Sequence, residues 1–200
     1  MPTRALRPAL VLLAVAFPAG SHRPKPTGGG GAGGWDGGWQ HDGPTVRLHG
    51  RGFVVDEGPA RPFLGLGASY FMALRNCKFN RTLLHSDLAF LRSRGFQYVR
   101  VLSMVGWNAY WQGREIAPIS FVSSANVSVP AWPDYWPQLG LLLDIVYEHG
   151  MRTELTLFAD AQLMPSRGAR SRHLARVAQT VEGREHKVMY LEVANEAWQN

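Results

Sequence analysis

Residues Val188–Trp198 read VMYLEVANEAW, an apolar run that breaks into an Asn-Glu pair. A near-continuous apolar run is typical of a strand buried on both faces of a parallel sheet. Active sites of α/β folds lie at the carboxyl ends of such strands, which is where Asn195 and Glu196 fall. A carboxyl group there can protonate a leaving oxygen while the amide binds a substrate hydroxyl. The alternative is a polar turn that merely ends a strand, so the rest of the chain decides between the two.

An alternation of strand and helix precedes this terminal strand. Apolar runs and helical spacing predict strands at Pro62–Ala68, Phe96–Met104 and Arg152–Phe158, and helices at Asn80–Arg94, Tyr135–His149 and Arg170–Glu182. The last helix is expected to have an apolar face formed by Leu174, Val177, Ala178 and Val181. Such alternation indicates parallel βαβ crossovers, in either an open doubly wound sheet or a barrel. No Gly-rich phosphate turn follows the first strand, which disfavours a dinucleotide-binding fold.

The second predicted strand contains one charged residue, Arg100. A charge within a buried parallel strand must be paired, so one interpretation places a carboxylate nearby. The other interpretation is an arginine that points to solvent from the strand end.

Long loops on a rigid scaffold often have functional roles, and the stretch after the second strand is unusually aromatic. Trp107, Tyr110 and Trp111 are candidate platforms for the C–H faces of sugar rings. The competing interpretation is that loop aromatics pack over the domain. Asp160, after the third strand, is a candidate ligand for substrate or metal, although an aspartate there more often caps a turn.

The amino terminus predicts export. Residues 1–20 combine arginines with a short apolar core and small residues, the pattern of a secretory signal peptide. The apolar run is shorter than the ~20 residues that span a bilayer, so no stable membrane insertion is expected. Residues 21–44 are rich in Gly and Pro and predict a flexible linker. The folded domain is expected at residues 45–200, beginning with a small hairpin around His49-Gly50.

Composition excludes several classes of protein. The net charge is +6, but the basic residues are scattered and form no dense block, which disfavours nucleic-acid binding. The single cysteine, Cys77, rules out an intrachain disulfide framework and predicts a small buried side chain. The seven histidines are dispersed without ligand spacing, so neither a metal nor another cofactor is expected.

With four strand–helix units placed, residues 45–200 resemble the amino-terminal half of a clan A glycoside hydrolase, of the family 5 cellulase and mannanase type. The matching segments are Phe53–Asp56, Arg61–Gly67, Tyr98–Val101 and Leu191–Glu196. The resemblance implies an incomplete (β/α)8 TIM barrel with its first four βα units present. It also implies that Glu196 is the general acid/base, that Asn195 binds the sugar 2-hydroxyl and that Arg100 orients the carboxylates. The expected substrate is a β-linked poly- or oligosaccharide, with Trp107, Tyr110, Trp111 and Trp198 as further contacts.

The resemblance places the nucleophile on a seventh strand, which these 200 residues do not include. Retaining hydrolysis needs two carboxyl groups about 5 Å apart. Glu192 lies four residues before Glu196 in the same strand, ~13 Å away, and cannot serve as the second. We therefore expect a fragment that lacks the carboxyl-terminal half of the barrel and is inactive alone. The alternatives are a secreted, non-catalytic carbohydrate-binding α/β domain and an open α/β domain in which Glu196 is structural.

Overall fold

The computed structural model describes residues 44–55, 61–63, 65–106, 115–123 and 126–195. Several predictions fall outside these residues: the signal peptide at 1–20, all but the last residue of the linker at 21–44, and the side chains of Trp107, Tyr110, Trp111, Glu196 and Trp198. In chain order the strands and helices are β1 (Val46–His49), β2 (Gly52–Val55), β3 (Arg61–Phe63), β4 (Gly67–Ser69), α1 (Ala73–Phe79), α2 (Arg81–Ser93), β5 (Tyr98–Leu102), β6 (Phe121–Val122), β7 (Ser128–Val129), α3 (Tyr135–Glu148), β8 (Arg152–Phe158), α4 (Arg167–Val181) and β9 (Val188–Ala194).

The main sheet is parallel, with the strand order β4-β5-β8-β9. Each of these strands pairs with the next one along the chain, and helices connect them. Within the described residues the sheet has no point at which strand order reverses, which an open doubly wound sheet would require. The predicted α/β class and its parallel crossovers are confirmed.

The amino-terminal strands form a separate antiparallel sheet, β1-β2-β3. The hairpin of β1 and β2 turns through Gly50 at a φ of 61°, as the His49-Gly50 turn predicts. The prediction of one core strand over Pro62–Ala68 is wrong. Its first residues pair with the hairpin as β3, whereas the parallel strand β4 starts only at Gly67, because the two halves of the run pair with different partners.

Two of the helices, α2 and α4, begin at residues whose side chains accept hydrogen bonds from backbone amides of the first turn. Asn80 caps α2 by accepting a hydrogen bond from the Leu83 amide, and Ser166 caps α4 through the Ala169 amide. Gly95 follows α2 at a φ of 87°, a conformation that side chains with a Cβ rarely adopt. The sequence predicted one helix in the first crossover, but the short helix α1 precedes α2 there.

The hydrophobic core lies between the sheet and its helices. Val99 and Val101 of β5 point into this core, together with Leu84 of α2 and Leu142 of α3, and all four are buried. Cys77 is buried there too, as predicted.

The expected apolar face of α4 is wrong in one position. Leu174 is 42% exposed, and its neighbour His173 is buried instead. Hydrophobicity placed the leucine inside, but the helix is rotated so that the imidazole packs between the rings of Trp136 and Phe158.

The loop after β5 contains the short hairpin of β6 and β7, which the sequence did not reveal. Trp132 and Tyr135 beyond it are buried, so for these two aromatics the packing interpretation is correct. None of the helices in the described part of the chain has both the length and the apolar character needed to cross a membrane.

Candidate functional site

The second face of the parallel sheet holds a cluster of polar side chains. Strand register places Arg100 beside Glu154, Glu154 beside Tyr190, and Thr156 beside Glu192. Side chains at alternate positions of a strand share a face, so these five residues lie on one side of the sheet. That side is opposite the core formed by Val99 and Val101.

Arg100 connects this cluster to the end of β9. Its Nε and Nη2 atoms lie 2.8 Å and 2.6 Å from Oε2 of Glu192, and Nη2 also donates a hydrogen bond of 2.9 Å to Oδ1 of Asn195. Oε1 of Glu154 lies 3.4 Å from Nε. The prediction that Arg100 has a carboxylate partner is therefore confirmed, and the solvent-facing alternative is not what the chain adopts.

Glu192 is held from two sides. Its Oε2 atom accepts the hydrogen bonds of Arg100 and a further one from the hydroxyl of Thr156. Charge-assisted hydrogen bonds of this kind are roughly twice as strong as neutral ones and fix the orientation of both partners. The carboxylate of Glu192 thus serves to hold the guanidinium toward Asn195.

Glu154 is the most enclosed acid of the cluster, with a side chain that is only 8% exposed. Burial raises the pKa of Glu154 above its ordinary value, and the nearby charge of Glu192 adds to this effect. Hydrogen bonding from Tyr190 and the charge of Arg100 act in the opposite direction but do not cancel it. One guanidinium therefore lies beside two carboxyl groups, and the Glu154 carboxyl is more easily protonated than that of an exposed glutamate.

Asn195 lies where the ladder of the parallel sheet ends. Its backbone amide donates a hydrogen bond of 3.2 Å to the carbonyl of Phe158, which continues the pairing of β8 with β9. The predicted acid/base, Glu196, is the next residue in the chain and lies outside the described residues. Of the predicted site residues, the structure thus brings together Arg100 and Asn195.

Asp160, the candidate ligand that follows β8, accepts hydrogen bonds from two loop residues. Oδ2 of Asp160 accepts a hydrogen bond of 3.0 Å from the amide of Gly106, and Oδ1 accepts one from the side chain of Gln162. Burial raises the pKa of Asp160, and the bond from Gly106 offsets part of that rise. Asp160 thus links the loops that follow β5 and β8.

Sequence reasoning missed Glu154, Thr156 and Tyr190 as members of the cluster. The signal for the first two was the alternation of polar side chains within Arg152–Phe158, because Glu154 and Thr156 are two positions apart and so share a face. Among the described residues, no group of three His, Cys, Asp or Glu side chains is arranged to hold a metal ion.

Comparison of the sequence with protein-family models and with curated proteins finds no match. Solved structures are similar to it. An endo-1,4-β-mannanase from Rhizomucor miehei superposes with a TM-score of 0.54 at 12% sequence identity. A putative glycoside hydrolase from Bacteroides vulgatus superposes with a TM-score of 0.54 at 14% identity. The fold is similar to that of glycoside hydrolases.

These superpositions cover most of this chain and a smaller part of the other. They include 76% and 80% of this chain, but only 48% of the mannanase and 33% of the Bacteroides protein. The chain therefore spans half or less of the length of these structures. At such identities the similarity concerns the fold, and the chemistry of the site must be argued from its own residues.

Proposed function

We propose that this chain supplies the proton-donating half of the active site of a retaining β-glycosidase. The observation that carries the proposal is the hydrogen bond from Arg100, in the middle of β5, to Asn195, which directly follows the carboxyl end of β9. It fixes the residue that directly precedes Glu196 at the end of the sheet where α/β enzymes bind their substrates. The similarity of the fold to glycoside hydrolases supports the same function.

In this proposal Glu196 is the general acid that protonates the leaving glycosidic oxygen, and it later acts as the base that activates water. Asn195 binds the hydroxyl next to the reacting carbon, and Arg100 sets the orientation of its amide. The substrate is a β-linked poly- or oligosaccharide. Trp107, Tyr110, Trp111 and Trp198 are proposed to contact its sugar rings.

Neither carboxylate of the cluster is suited to be the nucleophile. Glu192 is engaged by Arg100 and Thr156, and Glu154 is almost fully enclosed beside Arg100. A nucleophile must instead approach the sugar carbon freely, about 5 Å from the acid. We therefore propose that the nucleophile comes from a region outside these 200 residues.

The same region is proposed to complete the fold. Within the described residues, the outer edges of β4 and β9 have no neighbouring strand. Exposed edges of parallel strands favour aggregation, and a closed barrel removes them. Four strands in consecutive order are what the first half of a (β/α)8 barrel would contain. The remaining four strand–helix units would then cover both edges and bring the second carboxylate.

Hydrolysis by the complete gene product tests this function. The gene is expressed from its start to its own stop codon and assayed on aryl β-mannosides, aryl β-glucosides and β-mannan. Glu196→Gln is expected to lower kcat at least about 100-fold, the usual contribution of a general acid. Glu182→Gln, a matched change at an exposed position, is expected to leave activity unchanged.

Several results would contradict parts of the proposal. Hydrolysis that is insensitive to Glu196→Gln would remove the assigned acid/base. A stop codon directly after Asn200, or Glu196-dependent hydrolysis by the 200-residue chain alone, would contradict the nucleophile's location outside it. Oligosaccharide binding without hydrolysis, unaffected by Glu196→Ala, would favour the alternative of a carbohydrate-binding domain.

Export is proposed together with this function, because polymeric substrates lie outside the cell. Residues 1–20 would direct it, and residues 21–44 would separate the leader from the folded domain. The amino-terminal sequence of the mature protein checks this proposal. Cleavage near Gly20 is expected, and a mature protein that retains Met1 would contradict it.

A further inference from the structure

Two histidine side chains meet on the helical side of the sheet, away from the proposed site. His85 lies on α2, and His149 directly follows α3, before β8 starts at Arg152. Nδ1 of His85 lies 2.9 Å from Nε2 of His149, and the centres of the two rings are 5.2 Å apart. Because 64 positions of sequence separate the two residues, the spacing of the histidines along the chain gives no sign of this pair.

Both rings project from backbone that is firmly held. Leu84, the neighbour of His85, is fully buried and packs α2 against the core. The amide of His149 donates a hydrogen bond of 3.2 Å to the carbonyl of Ile145, and Gly150 then turns the chain at a φ of 71°. Side chains on supported elements of this kind keep their relative position when a ligand binds between them.

Imidazole nitrogens that converge from two elements are a donor set for a transition metal. Zn²⁺ binds imidazole nitrogen at about 2.0–2.1 Å, so two nitrogens on one tetrahedral ion lie about 3.3 Å apart. The distance of 2.9 Å between the two histidines must therefore widen by only about 0.4 Å, which rotation of the rings provides. His85 is exposed and His149 is partly exposed, so an ion can enter from solvent and keep water on its remaining positions.

The charges around the pair decide which ions it suits. Burial lowers the pKa of His149, the neighbouring His85 lowers it further, and the charge of Glu148 offsets part of this effect. The neutral imidazole, which is the form that binds metals, is thereby favoured near neutral pH. Glu148 also favours a cation, whereas the guanidinium of Arg92 beside Gly150 opposes one. Nitrogen ligands select Zn²⁺, Ni²⁺ or Cu²⁺ over Mg²⁺ and Ca²⁺, which prefer oxygen.

We propose that His85 and His149 together bind one divalent transition-metal ion of the Zn²⁺ type, through Nδ1 of the first and Nε2 of the second. Without the ion, one ring donates a hydrogen bond to the other. With it, α2 is linked to the end of α3, and the folded chain is stabilised because the folded state binds the ion more tightly than the unfolded one. The site is separate from Arg100 and Asn195 and does not depend on the glycosidase proposal.

Calorimetric titration of the complete gene product, purified without a histidine tag, tests the site with ZnCl₂ and MgCl₂. His85→Gln and His149→Gln are each expected to weaken Zn²⁺ binding at least about tenfold, because each removes one of two protein ligands. His49→Gln, a change at an exposed histidine on β1, is the matched control and is expected to leave Zn²⁺ affinity unchanged. Mg²⁺ is expected not to compete with Zn²⁺.

A second readout uses only the wild-type protein and does not depend on the folding of any variant. The imidazole NMR signals of His85 and His149 are expected to shift together on addition of ZnCl₂ at about pH 7.5, and to stay in place at about pH 5, where both rings are protonated. No Zn²⁺ binding, equal affinity in the control and both variants, or a shift of neither signal would overturn the proposal. An effect of only one of the two variants would indicate a single-histidine site and would overturn it as well.

Discussion

The Nε atom of Arg100 donates a hydrogen bond of 2.8 Å to Oε2 of Glu192, although 92 positions of sequence separate the two residues. The bond links the second and fourth strands of the parallel sheet across β8, which lies between them. The same guanidinium also donates a hydrogen bond to Asn195. The ion pair therefore fixes the position of the Asn195 side chain at the end of β9. The site is thus positioned by the sheet itself rather than by a loop.

Removal of the arginine is expected to destabilise the fold. Arg100→Met keeps the length of the side chain but leaves Glu154 and Glu192 side by side without a cation. Breaking a largely buried pair by removal of one partner costs several kcal/mol, and partial exposure of Glu192 reduces this to roughly 2–3 kcal/mol. Urea denaturation of the wild-type protein and the variant measures the loss. Arg51→Met, at an exposed turn, is the control, and an equal loss in both would contradict the role of the network.

Glu154 is expected to make stability depend on pH. Burial raises the folded-state pKa of its carboxyl above the unfolded value. The contribution of this group is therefore complete below the ordinary glutamate pKa and is lost as the pH rises through the raised one. Glu154→Gln, which cannot ionise, is expected to gain stability relative to the wild type as the pH rises above the ordinary glutamate pKa of about 4.3. Urea denaturation of both proteins at a series of pH values measures this difference. A difference that stays constant or shrinks as the pH rises would contradict the assignment.

Asn195 is expected to favour substrates that have a sugar 2-hydroxyl over substrates that lack it. In the complete gene product, Asn195→Ala should lower kcat/KM for an aryl β-glycoside about 5- to 30-fold, as expected for loss of about 1–2 kcal/mol of hydrogen bonding. The corresponding 2-deoxy glycoside lacks the bonded group, so its kcat/KM should change little. Equal losses for the two substrates would indicate a structural role for Asn195 instead.

The sequence predicted most of the strand–helix order because apolar runs and helical spacing are local signals. Arg152–Phe158 has the predicted bounds, and Val188–Ala194 ends where the Asn-Glu pair begins. The partners of Arg100 could be predicted only as a class, since strand register decides which carboxylate it meets. That register includes an irregularity between Thr153 and Glu154, which places Thr156 beside Glu192 and has no local sequence signal.

Two differences from prediction arise from tertiary packing. The run Pro62–Ala68 is continuous in hydrophobicity, but its two ends pair with different sheets. On α4, Leu174 is exposed and His173 is enclosed by Trp136 and Phe158. A scale that ranks leucine above histidine cannot anticipate a polar ring that packs between two aromatic ones.

The leaving-group dependence of Glu196→Ala tests the central claim, that Glu196 protonates the departing oxygen, most directly. In the complete gene product, kcat/KM is measured for aryl β-glycosides whose phenols span a wide range of acidity. The variant is expected to retain most of its activity on dinitrophenyl glycosides, which leave without a proton. On phenyl glycosides it should lose about 100-fold or more, because protonation then limits the reaction. Losses of equal size across the whole series would show that Glu196 is not the acid.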